Sequence, residues 1–121
     1  MIRGIGIDII EINRVQEAVE KTKGFLEKTY TKDEIEYFKS RKMKYETVAG
    51  NFAGKEAFVK AMGTGFIGVE PKDIEILRDV SGQPYINVLK EEIKELLKDA
   101  RIFITISHSQ NYAVANVVIE E

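Results

Sequence analysis

The sequence predicts one α+β domain, a mainly antiparallel sheet packed with helices that include one long central helix, and three observations carry that prediction. The chain opens and closes on strand-like alternation, first in "IRGIGIDII" and finally in "RIFITISHS" and "NYAVANVVIE". Between them, an alanine-rich run from about Tyr45 to Met62 places Val48, Phe52, Val59 and Met62 at helical steps with no proline. The elements follow the order βααα ββαββ, in which runs of strands alternate with runs of helices rather than strand by strand.

Each element has its own local reason. Along the first strand Ile5, Ile7 and Ile9 fall on one face and Gly4, Gly6, Asp8 and Ile10 on the other, so Asp8 looks out over a bare stretch of backbone. "EINRVQEAVEKT" puts Ile12, Val15 and Val19 on one helical face, and Gly24 ends that helix. Thr31 and Glu34 stand at capping-box spacing, so Thr31 should cap a helix carrying Ile35 and Phe38 inward. "DIEILRDVSGQPYINVL" reads as two strands about a Ser81-Gly82 bend, with Pro84 at a strand start. "KEEIKELLKDA" is a charged, solvated helix, and the apolar run "YAVANVVI" is a strand that could pair across subunits.

Bulk properties narrow the function. A chain of 121 residues makes one domain, 1–121, and 44% hydrophobic with 31% charged residues describes neither a disordered nor a membrane-embedded protein. No apolar run approaches the roughly 20 residues that cross a bilayer, and the N-terminal stretch contains Asp8 and lacks a cleavage site, which suits a first strand better than a signal peptide. The absence of cysteine excludes disulfides and thiolate metal sites and fits a cytoplasmic protein. A formal charge of −2 argues against nucleic-acid binding.

The candidates for chemistry gather around the long helix. Gly63, Gly65 and Gly68 spell G-x-G-x-x-G, but they follow a helix, whereas a dinucleotide fingerprint must precede one. They read instead as a helix C-cap at Gly63 and a loop before Pro71. Glu56 and Lys60, four apart, share a face, either as an ordinary ion pair or as groups facing a pocket, and Gly54 among alanines suggests close packing there. Asp8 reads either as a cap for the next helix or, if the first strand lies beside the long helix, as a partner of Glu56. Two carboxylates about 5 Å apart repel by roughly 3 kcal/mol at an effective dielectric of 20, which a cation relieves, and hard oxygen ligands favour Mg²⁺. His108, the only histidine, is either a half-buried hydrogen-bonding residue or a phosphate contact, with Ser109 beside it. Arg14, Lys21, Lys23 and Lys28 form either a solvated face or a docking patch for an acidic partner.

Taken in order, "GIGIDIIEINR", "NFAGKEAFVKAMGTG", "SGQPYI" and "ISHSQNYAVANVVI" resemble the holo-acyl-carrier-protein synthase family, the small bacterial 4′-phosphopantetheinyl transferases, over nearly the whole chain. The resemblance implies transfer of the phosphopantetheine arm of coenzyme A to a serine of apo acyl carrier protein, with release of adenosine 3′,5′-bisphosphate. It implies that Asp8 and Glu56 bind Mg²⁺, that Lys60 and His108 lie near the phosphates and act with those acids in catalysis, and that Lys55, Gly63, Gly65 and Ser109 belong to the coenzyme A site. It also implies a homotrimer with active sites between subunits, one chain giving first-strand and long-helix residues and its neighbour late-strand residues. The position before Phe52, often arginine in that family, is the uncharged Asn51, so phosphate binding would lean on Lys60, Lys55 or another cation. Carrier proteins are acidic, so Arg14 and Lys21 would steer that partner. Asp33 or Glu34 through a water, or Lys60, could serve as base. Two other readings are a non-catalytic coenzyme A and Mg²⁺ sensor and an oligomerisation module.

Overall fold

The computed structural model describes residues 1–63 and 68–121. Strand β1 (Ile2–Glu11) leads into helices α1 (Ile12–Lys21), α2 (Phe25–Thr29), α3 (Lys32–Ser40) and α4 (Tyr45–Met62). Past a single 3₁₀ turn at Pro71–Asp73 come β2 (Ile74–Arg78), β3 (Pro84–Val88), α5 (Glu91–Leu96), β4 (Arg101–His108) and β5 (Tyr112–Glu120). The expected order is present, with α2 as an addition. Five residues are too few for a helical period to register in the sequence.

Two antiparallel sheets form, one ordered β1-β5-β4 and the other the β2-β3 hairpin. Strand β5 is therefore hydrogen-bonded on both sides. The expectation that "YAVANVVI" pairs across subunits is corrected: a central strand has no free edge to offer. Thr31 caps α3 as expected, its hydroxyl accepting from Glu34 N while Glu34 Oε1 accepts from Thr31 N.

Helix α4 is buried on most of its circumference, which explains why it lacks an amphipathic pattern. Four stripes at i, i+4 spacing have different neighbours. Ala57 and Ala61 meet β1, where a Cβ on Gly4 would fall 1.9 Å from Ala61 O and one on Gly6 would fall 1.9 Å from Ala57 O. Gly50 and Gly54 admit Ile106, and Ile76 with Ile104, respectively. Asn51 and Lys55 enter a polar interior, and Phe52 and Glu56 line a cleft, with Lys60 four residues further along.

The glycine face of β1 is thus the covered one. On the opposite face Ile5, Ile7 and Ile9 point away from the helices and are left 62%, 57% and 64% exposed, and Phe103 on β4 is 49% exposed. Among the described residues no helix is long and apolar enough to cross a membrane.

Candidate active site

Asp8 sits on the covered face of β1, two residues beyond Gly6, and the missing Cβ of that glycine lets α4 approach closely enough for its side chains to reach the strand. Lys60 Nζ donates to Asp8 Oδ1 at 3.2 Å and to Ile7 O at 2.9 Å. Asp8 is therefore not a cap; α1 starts after Glu11 with no side-chain cap at all. Lys60 pairs across to Asp8 rather than along the helix to Glu56.

Asp8 and Glu56 line one open cleft of about 660 Å³. Arg14 contributes from α1, and Phe25 and Phe52 form a stacked aromatic wall with centroids 6.3 Å apart. Tyr112 closes the side nearest β5. The aromatic wall escaped the sequence reading because Phe52 scores as one more apolar residue of a helix. Among the described residues no three His, Cys, Asp or Glu side chains cluster as a metal cage. Two carboxylates on a cleft suit a cation that keeps waters and takes its other ligands from a substrate. Glu56 is exposed, and Lys60, 55% exposed at its side chain, has room to leave Asp8 for an incoming phosphate.

Several expectations need correction. Lys55, expected at the coenzyme A site, is turned away from the cleft: its side chain is 4% exposed, and its ammonium reaches Glu34 Oε1 at 2.8 Å and donates to the carbonyls of Pro71 and Ile74 at 2.7 Å each. Three acceptors use all three of its protons. Burial pushes the Lys55 ammonium below its ordinary pKa, and the nearby Glu34 carboxylate opposes that shift. Asn51, wholly buried, donates to Glu34 Oε2 and Ile76 O, so this position points into the interior and not toward the cleft. Glu34 cannot act as base, since both its oxygens are engaged and it is fully buried; Asp33 does not line the cleft either.

His108 and Ser109 are exposed at the end of β4 and do not line the cleft. Strand β5 separates them from β1, His108 standing opposite Ala113 and Ala113 opposite Ile10. Arg14 and Lys21 are exposed on one face of α1 and line one shallow depression. Gly63 ends α4 with φ +89°, as a cap requires, while Gly65 lies outside the described residues.

The model of the 4′-phosphopantetheinyl transferase superfamily matches residues 4–117. A holo-[acyl-carrier-protein] synthase of Clostridium botulinum (strain Eklund 17B / Type B) is 49% identical over 121 residues, covering 99% of this chain and 98% of its own. Among solved structures, a holo-(acyl-carrier-protein) synthase from Bacillus anthracis, in complex with CoA (3′,5′-ADP), superposes with a TM-score of 0.81 at 41% identity, covering 100% of this chain and 98% of that one. The Neisseria meningitidis holo-[acyl-carrier-protein] synthase superposes with a TM-score of 0.87 at 30% identity and full coverage of both chains. The fold is that of a small α+β transferase. The chain belongs to the 4′-phosphopantetheinyl transferase superfamily and, within it, to the holo-acyl-carrier-protein synthases.

Proposed function

We propose that this enzyme moves the 4′-phosphopantetheine arm of coenzyme A onto a serine of an apo acyl carrier protein, with Mg²⁺, and releases adenosine 3′,5′-bisphosphate. The observation that carries the reading is the meeting of Asp8 from β1 and Glu56 from α4 on one cleft, with Lys60 already on Asp8. Asp8 and Glu56 would hold the magnesium, whose charge, when bound, neutralises the phosphate oxygens. Lys60 exchanges its Asp8 contact for the bridging or leaving oxygens, and the stacked Phe25 and Phe52 give the organic part of the substrate an apolar wall. The serine hydroxyl attacks phosphorus in line and its proton leaves to a base. Lys60, held as an ammonium on Asp8 and then on the phosphate oxygens, has no lone pair for that proton, so a water at the cleft takes it rather than Lys60. Arg14 and Lys21 draw the acidic carrier to the adjoining face of α1.

The working unit in this reading is a homotrimer. The uncovered Ile5, Ile7, Ile9 and Phe103 make an apolar sheet face that needs a cover, and association through it lets His108 and Ser109 of one chain approach the cleft of the next. Mass spectrometry of an apo carrier protein incubated with enzyme, coenzyme A and Mg²⁺ tests the function. A mass gain of one arm per carrier is expected; a carrier of unchanged mass refutes the proposal. Sedimentation of the protein as a trimer, and of Ile7→Glu as a monomer, is expected for the assembly.

A further inference from the structure

Behind the cleft lies a buried polar system whose use is not evident from the reaction. Glu34, on α3, accepts four hydrogen bonds on one carboxylate: Thr31 N at 3.0 Å and Lys55 Nζ at 2.8 Å on Oε1, Asn51 Nδ2 at 3.0 Å and Ile76 N at 3.2 Å on Oε2. Lys55 spends its other two protons on Pro71 O and Ile74 O, at either end of the 3₁₀ turn. The segment just before that turn, Val69 and Glu70, faces α4 across a cavity of about 170 Å³ whose other walls include Glu56 and Val59. One ammonium therefore ties a loop wall to the helix at the residue preceding Glu56. Lys90 and the backbone of β3's end also hold this segment, through Gly68 O and Asp73, but among the described residues Lys55 alone ties it to α4 with bonds from a charged donor, which are stronger than neutral ones.

We propose that Glu34 and Lys55 are positioning residues: Glu34 aims and holds the Lys55 ammonium, Lys55 pins the Val69–Ile74 wall beside Glu56, and the pinned wall sets the enzyme's grip on coenzyme A. Neither side chain lines the cleft of Asp8 and Glu56, which separates this role from a direct phosphate contact. The inference rests on the transfer reading, because it presumes that Glu56 faces the coenzyme.

Lys55→Met keeps the stem of the side chain and removes the tether, but it leaves Glu34 buried with one donor fewer. The double variant Glu34→Gln/Lys55→Met also removes that stranded charge. Measured well below the melting temperatures, Lys55→Met is expected to raise the KM for coenzyme A about tenfold, the scale of a small misplacement at a reacting centre, with the KM for carrier protein unchanged. Hydrogen exchange in peptides spanning 69–76 should quicken. The double variant should regain melting temperature over Lys55→Met while keeping the raised KM and the faster exchange, since the tether is still missing. A purely structural pair predicts that KM recovers together with stability, and that outcome overturns the proposal. Unchanged coenzyme A kinetics and exchange in the double variant overturn it too, even where Lys55→Met alone does not fold. Wild-type protein that transfers nothing to the carrier would instead refute the transfer reading itself.

Discussion

Replacing Gly6 by alanine tests the packing on which the cleft depends. The added Cβ would stand 1.9 Å from Ala57 O and 2.7 Å from Ala61 N, where ordinary contact begins near 3.4 Å. Strand and helix must separate by about 1.5 Å, and because both obstructing atoms are backbone, no rotamer change relieves the clash. Overpacking costs about 1–3 kcal/mol, and a rigid obstruction in the middle of an 18-residue helix belongs at the top of that range. For a domain of this size a loss of about 3 kcal/mol lowers the melting temperature by roughly 10–15 °C. The same displacement pulls Asp8 away from the Lys60 and Glu56 side of the cleft, so transfer should fall further than stability alone explains. Gly82→Ala is the control: its φ of +89° costs about 1 kcal/mol of backbone strain, yet nothing lies within 4 Å of the new methyl. Thermal melts and the carrier-modification assay on both variants decide the matter. A Gly6→Ala protein that melts within about 2 °C of wild type would refute the argument that the strand glycines set the helix position.

Other outcomes follow from the same structure. Glu56→Gln keeps the shape of the side chain and removes its charge; the transfer rate at limiting Mg²⁺ should fall about 100-fold and recover in part as Mg²⁺ is raised, which a metal titration checks. Arg14→Glu should raise the KM for carrier protein about tenfold and flatten its salt dependence while leaving that for coenzyme A nearly unchanged; equal effects on both would count against docking. Tyr30, fully buried with its hydroxyl donating to Val48 O at 2.9 Å, has a pKa raised well above 10.0 by burial and, secondarily, by Glu34. Above about pH 10 the unfolded chain loses a phenolic proton that the folded chain keeps, so this residue lowers stability by up to about 1.4 kcal/mol per pH unit there. Tyr30→Phe lacks that contribution, and denaturant unfolding between about pH 8 and 11 should show its deficit against wild type shrinking as pH rises past 10; parallel curves contradict the assignment.

The strands, the capping box and the bounds of α4 were legible because each rests on local chemistry: alternation, a Thr31 hydroxyl three residues before Glu34, alanines without proline. Asp8, Glu56 and Lys60 could be singled out because charge is conspicuous in an apolar strand or beside glycines. What stayed hidden depended on which side of an element faces inward. Lys55 and Glu56 are neighbours in sequence, yet about 100° of helical rotation sends one into the interior and the other to the cleft. Nothing local distinguishes them. Alternation along β1 separates two faces without saying which is covered: burial by α4 went to the glycine face, because only a side without Cβ atoms admits helix backbone so closely. A signal for the buried network did exist, in the polar Asn51 and Lys55 four apart with only Phe52, Ala53 and Gly54 between them.

Helix α4 thereby separates two kinds of charge that the sequence mixes. Glu34 and Lys55 are saturated, the carboxylate with four donors and the ammonium with three acceptors, and such groups hold structure because no further ligand can compete for them. On the cleft side Lys60 has, among the described residues, only Asp8 and a single backbone carbonyl, and both acids line an open cleft. Binding energy is available only from groups not already satisfied. A reaction that exchanges counterions on a diphosphate needs them loosely held but accurately placed. The saturated pair supplies the placement from one side of the helix, the glycine-thinned strand supplies it from another, and the residues between are left free to act.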